Sequence, residues 1–295
     1  MQSTRLAVRL AWIIAGLALV APLAGLLAPD GSGPATVRSV RGEVVELYGQ
    51  GLYRRDSRFK GASNVGTDVI TLFVAIPLLV WSAIAYRRGS PRGGPLLLGV
   101  LAWFLYVYAT YALSVAFNEL FLVYVALASA SFFAFVLLWR AIDPARLADG
   151  PSETVVRRTA AVMLASAVLT FLVWSLPLLA ATLSGDAPKW LDSSSTMVTD
   201  ALDLAIITPS ALLAGMLLRR REPLGYLIAI VLLVLLLILA PAIIAQTVSQ
   251  LAADIAFTGG ETVGPMAGFL VLGVIAAWCL RGLLRPLTAH REGGG

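Results

Sequence analysis

The chain has 295 residues, 59% of them hydrophobic and 13% charged, with 22 basic against 17 acidic side chains. Together with a mean hydropathy of +0.85, this excludes an ordinary soluble domain and a disordered chain, and reads as an integral membrane protein with several spanning helices. Cys279 is the only cysteine and His290 the only histidine, so an internal disulfide is excluded and thiol or imidazole metal sites lack their ligands.

A helix needs roughly 20 mostly apolar residues to cross the hydrocarbon core. Eight stretches qualify, near 10-28, 67-86, 95-116, 120-139, 159-183, 199-218, 224-248 and 264-284. Lipid offers backbone groups no partners, so segments of this length are helices. The expected fold is all-α: a polytopic bundle of about eight transmembrane helices.

The first segment follows Arg5 and Arg9, and its apolar run of about 19 residues suits a signal anchor (residues 1-28) better than a cleaved leader. Residues 29-66 form a short cap. It opens with the turn-forming run Pro29-Asp30-Gly31-Ser32-Gly33-Pro34. The β-prone runs Thr36 to Val40 and Glu43 to Tyr48 flank Arg41-Gly42 and predict a hairpin. An isolated hairpin is marginal in water, so it is expected to lie on the helix ends. Gly49 to Tyr53 reads as its flexible exit. Residues 67-286 form a seven-helix bundle, followed by a flexible tail, 287-295. Ala126, Ala130 and Ala134 on the fourth segment suit close helix packing. Pro77, Pro177, Pro209 and Pro241 lie inside segments 2, 5, 6 and 7, and each frees a backbone carbonyl. No internal repeat is visible in the helix spacing.

Basic residues alternate from end to end. Loops containing Arg87, Arg88 and Arg92, then Arg140, Arg146, Arg157 and Arg158, then Arg219, Arg220 and Arg221 fall on the same side as both termini. By the positive-inside rule that side is cytoplasmic. It holds 15 basic and 5 acidic residues against 7 and 12 on the other, a balance of +10 against −5. The pI of about 9.7 is therefore a topology signal and not a nucleic-acid footprint. Arg54, Arg55, Arg58 and Lys60 break the rule, clustering beside the cap on the outer side.

A carboxylate at membrane depth is costly and marks a site. Asp68, Glu119 and Asp200 are expected at helix N-termini, where capping and the helix dipole favour acid. Asp203 lies a turn deeper than Asp200, above the Ala205 carbonyl that Pro209 frees, and is the acid capping explains least. An ion pair with the outer arginines is the alternative reading of Asp203. Tyr108 and Tyr111 share a face of segment 3 with Asn118 beyond them, and Tyr106 points elsewhere. Across the hairpin from Tyr124 and Ser131 they would line a polar crevice. No catalytic group, metal ligand set or cofactor site is assigned: His-Glu-x-x-His, Walker and Gly-x-Ser-x-Gly patterns are all missing.

Three stretches carry a resemblance: Glu46 to Ser57, the aromatic hairpin from Tyr106 to Phe135, and Asp203 to Gly215 ahead of Arg219 and Pro223-Leu224-Gly225-Tyr226. Together they resemble a set of uncharacterised bacterial multi-pass membrane proteins. The resemblance implies a bacterial inner-membrane setting and assigns no activity.

The leading expectation is a small transporter or channel-like protein for a cation, proton or small solute. Asp203 would be its coupling carboxylate, Asp200 and Asp68 the acidic rim, with Glu119 beside them, and Tyr108, Tyr111 and Asn118 the hydrogen-bonding wall. A second reading is a membrane enzyme acting on lipid-linked substrates, in which Arg54, Arg55 and Arg58 bind a phosphate headgroup. A third is a non-catalytic partner that engages another protein through residues 36-58.

Overall fold

The computed structural model describes residues 2–28, 31, 33–257 and 259–287. Pro29, Asp30 and Ser32 of the expected turn, and the tail with His290, lie outside the described residues. Eight helices are long and apolar enough to cross a membrane. They are α1 (Gln2–Leu27), α2 (Arg58–Arg87), α3 (Gly93–Ser114), α4 (Phe121–Ala141), α5 (Glu153–Ser184), α6 (Val198–Arg219), α7 (Pro223–Ala252) and α8 (Gly259–Leu284). Their outward faces carry large apolar side chains such as Phe73, Trp81, Phe133, Phe171, Leu183 and Trp278. An apolar belt of this extent fits a membrane lipid environment.

Helix α1 turns Ala7, Ala11, Ile14, Ala18 and Ala21 inward against α2 and α4. Its small side chains let the backbones approach closely. On α4 the buried stripe is Tyr124, Leu127, Ser131, Ala134 and Leu138. That corrects the alanine stripe: Ala126 faces outward and Ala130 is half-buried. The expected hairpin forms from β1 (Thr36–Arg38) and β2 (Val44–Glu46), paired antiparallel with Val37 opposite Val45.

Two boundaries differ from expectation. Helix α2 starts at Arg58 and not near 67, capped by Ser57, whose hydroxyl accepts the Lys60 amide at 3.3 Å. Arg58, Lys60 and Ser63 interrupt the apolar run without interrupting the helix. The presumed flexible exit is ordered as well. The Gly49 amide bonds the Arg54 carbonyl at 3.1 Å, and Leu52 and Tyr53 are buried.

The helix packing shows a duplication that the helix spacing hides. Within the first half, α1 packs on α2 and α4, α2 on α3, and α3 on α4. Within the second, α5 packs on α6 and α8, α6 on α7, and α7 on α8. The halves meet through α2–α7, α3–α7 and α3–α6. Exchanging each helix for the one four later maps this scheme onto itself. Each half has four spans, so equivalent helices run the same way and the repeat is a parallel one.

The chain supports this alignment. Thr67-Asp68, Pro77 and Arg87-Arg88 recur as Thr199-Asp200, Pro209 and Arg219-Arg220 at a constant offset of 132. A π-helical turn, Thr71–Ala75 in α2 and Asp203–Ile207 in α6, recurs at the same offset. Buried positions recur with it: Asp68 and Asp200, Ile76 and Thr208, Leu79 and Ala211, Ser82 and Ala214, Ala83 and Gly215. Proline has no amide hydrogen and its ring crowds the carbonyl four residues back. The wider turn before Pro77 and Pro209 makes room for that ring. π turns are rare and gather at functional sites.

The two cross-half seams are not equally closed. Between α2 and α7, Gly66 lies directly on the backbone of Ala245 and Gln246. Gln246 donates to Thr67 at 2.9 Å and Gln250 to Ser63 at 2.5 Å. Its mate, the α3–α6 seam, is packed more sparsely, chiefly at the start of α6.

Candidate functional site

Both π-turn helices carry buried or half-buried carboxylates, Asp68 among residues of the first half and Asp203 at the α3–α6 seam. Asp68 is 1% exposed and lies about 15 Å along α2 from Arg58. Helix dipole and capping therefore do not account for it, and its expected place on an acidic rim is corrected. The Tyr53 hydroxyl donates to its Oδ2 at 2.6 Å. Tyr111 lies 3.3 Å from its Oδ1 and 3.1 Å from the Asn64 carbonyl, so one proton is shared between two acceptors. Tyr108 and Tyr124 complete an aromatic cage, with ring centroids 5.8 Å and 5.3 Å from that of Tyr111. Gly25 of α1 closes the cage, since a Cβ there would collide with the Asp68 carboxylate. Burial and the nearby Asp68 carboxylate push the Tyr53 phenol well above its ordinary range, so it stays a donor.

Asp203 opens the π turn of α6 and faces α3. Its Oδ1 accepts the Tyr106 hydroxyl at 3.0 Å, and Trp174 of α5 is a second hydrogen-bonding neighbour. Tyr106 therefore points to the site and not elsewhere. The crevice expected around Asp203, Tyr108 and Tyr111 is in fact two sites, because Tyr108 and Tyr111 belong to Asp68. Asp200 is buried one turn above Asp203, with Lys60 as its cationic neighbour.

The outer arginines hold the cap. Arg54 pairs with Glu119, and Arg55 donates to the Phe117 carbonyl at 3.1 Å. Arg58 pairs with Glu46 at 3.1 Å and with Asp254 at 3.8 Å. None pairs with Asp203, contrary to the alternative reading of that acid. The Glu119 carboxyl is held below the usual range by its own backbone amide and by Arg54. Asn118 is buried at the tight α3–α4 turn. Its Oδ1 accepts the Leu120 amide at 2.9 Å, and its amide reaches the Tyr124 hydroxyl at 3.4 Å.

A polar cavity of about 170 Å³ lies between the cap, the end of α3 and the loop before α6. Asp56, Lys60, Ser114, Ser194, Thr196 and Val198 are among its walls. Asp56 is 4% exposed. Its Oδ1 accepts the Ala116 amide at 2.9 Å, and its Oδ2 has no partner among the described residues. Burial raises its carboxyl from the ordinary 3.8 to about 7. A raised acid pKa stabilises the fold fully below the unfolded value and loses that contribution as pH rises through the folded value. Asp56→Asn keeps the acceptor for Ala116 without the charge. Melting curves should show it gaining on the parent between about pH 4 and pH 8, by up to about 4 kcal/mol. An unchanged difference across that window would mean that Asp56 is solvated.

Sequence reasoning missed Tyr53, Tyr106, Asp56 and Lys60. The recurring Thr-Asp with its later proline was the signal that would have led to both carboxylates. Comparison with protein-family models, curated proteins and solved structures gives no match.

Proposed function

We propose that this is a small transporter or channel-like protein for a cation, proton or small solute. It would lie in the cytoplasmic membrane of a bacterium, with both termini inside and the cap outside. The charge balance of the loops supports that orientation. The path runs along the α3–α6 seam, from the cavity under the cap toward Asp203 and Tyr106. One observation carries this reading: Asp203 meets a tyrosine, with no basic partner, at a π turn in the more open of two equivalent seams. A carboxylate placed so takes up a proton or cation at modest cost, because no ion pair must first be broken.

The test is flux through the purified full-length chain in proteoliposomes holding a pH-sensitive dye. An imposed gradient of Na⁺ or K⁺, or added alanine, should move protons across the membrane. Asp203→Asn should abolish that movement with expression intact. Full flux in the Asn variant would remove Asp203 from the mechanism.

A further inference from the structure

The cavity under the cap has a chemistry that neither the coupling acid nor the cap staples explain. Lys60 stands in its wall with Nζ 2.5 Å from the Ser194 hydroxyl and 3.5 Å from the Leu191 carbonyl. An ammonium has three donors, so one remains for a further acceptor. Asp56 stands in the same wall with Oδ2 unpartnered and buried. A buried carboxyl oxygen left unsatisfied is destabilising, and a bound donor would relieve it. The walls are otherwise hydroxyl-rich, with Ser114, Ser193, Ser195 and Thr196.

We infer that this cavity is a binding site for a small zwitterion, with the ammonium of the ligand on Asp56 Oδ2 and its carboxylate on Lys60 and Ser194. Two wall charges of opposite sign select against either charge alone. A simple anion leaves Asp56 unsatisfied and faces its charge, and a simple cation faces Lys60. Size restricts the ligand further. An engineered cavity of about 150 Å³ admits benzene, so about 170 Å³ suits a free amino acid of glycine or alanine size. The site is also built to be held. The Asp192 carboxylate accepts the Ser57 hydroxyl at 2.6 Å and its carbonyl accepts Arg41 at 3.0 Å. Phe59 stacks on Trp190 at 4.2 Å, clamping the loop that carries the serines to the start of α2.

Binding here does not require Asp203 to couple transport, so equilibrium titration separates this proposal from the transport reading. The full-length chain in detergent is titrated calorimetrically with glycine and L-alanine, and with acetate and methylammonium as single-charge probes. Glycine or alanine should saturate, and each single-charge probe should bind at least about tenfold more weakly. Lys60→Met and Asp56→Asn should each weaken the zwitterion by about tenfold or more. Ser194→Ala, which leaves both charges in place, should weaken it less and guards against a folding defect in the other two. Arg146→Ala, at the opposite end of the bundle, should change nothing. Acetate binding as tightly as alanine, or no heat from either amino acid up to about 10 mM, would overturn the proposal.

Discussion

Gly66→Leu is expected to prevent the two halves from docking. A Cβ at position 66 would enter the backbone of Gln246 and Ala245. Backbone cannot swing aside as a side chain does, so α2 and α7 must separate. Separation also breaks the Gln246–Thr67 and Gln250–Ser63 bonds that seal the seam. Overpacking a filled core costs about 1–3 kcal/mol, and more where the backbone is the obstacle. The larger value is expected here. The readout is the thermal midpoint and the monodisperse fraction on size exclusion in detergent. Gly16→Leu is the control, because no atom lies within 4 Å of a Cβ there. If both variants melt alike, the seam between α2 and α7 is not closed as described.

Asp68 and Asp203 should respond oppositely to the same substitution. Asp68→Leu strands the buried Tyr53 hydroxyl, at about 1–3 kcal/mol for the unsatisfied group, while Tyr111 keeps the Asn64 carbonyl. It should therefore lower the melting temperature sharply. Asp68→Asn keeps a carbonyl acceptor, and should retain both assembly and flux, because its tyrosine cage lies within the first half and away from the α3–α6 seam. Asp203→Asn should retain assembly and lose flux. The difference rests on the surroundings of each acid: a closed tyrosine cage for one, a sparsely packed seam for the other. Loss of flux in Asp68→Asn with an unchanged melting curve would move the coupling role to the first half.

How much of this was legible depends on the kind of signal. Eight apolar runs and the hairpin could be read directly, because burial in lipid and β-pairing act on contiguous residues. The start of α2 could not, since Arg58 and Lys60 sit in a polar first part of the helix, ahead of its apolar run, where it meets the cap. Asp68 was read as a capping acid for the same reason: with α2 begun near 67 it falls in the first turn, and with α2 begun at Arg58 it falls deep inside. Tyr106 and Asp203 are brought together only by the packing of α3 on α6, which no local pattern encodes. The repeat is hard to see in the sequence because it lies in punctuation more than in composition. The acid, the π turn, the proline and the terminal arginines recur, while the apolar residues between them differ.

Two four-helix units held in one chain need not stay alike. Two separate copies of such a unit would be bound to treat their contacts alike, so that opening one seam would open the other. Joined in one polypeptide, they are free to specialise. Position 71 is threonine where position 203 is aspartate, and the seam between α2 and α7 is closely packed while its mate between α3 and α6 is sparsely packed. The two halves therefore differ at the position that the proposed path would use. Such a difference needs no moving element and no second subunit, only two halves of one chain that need not agree.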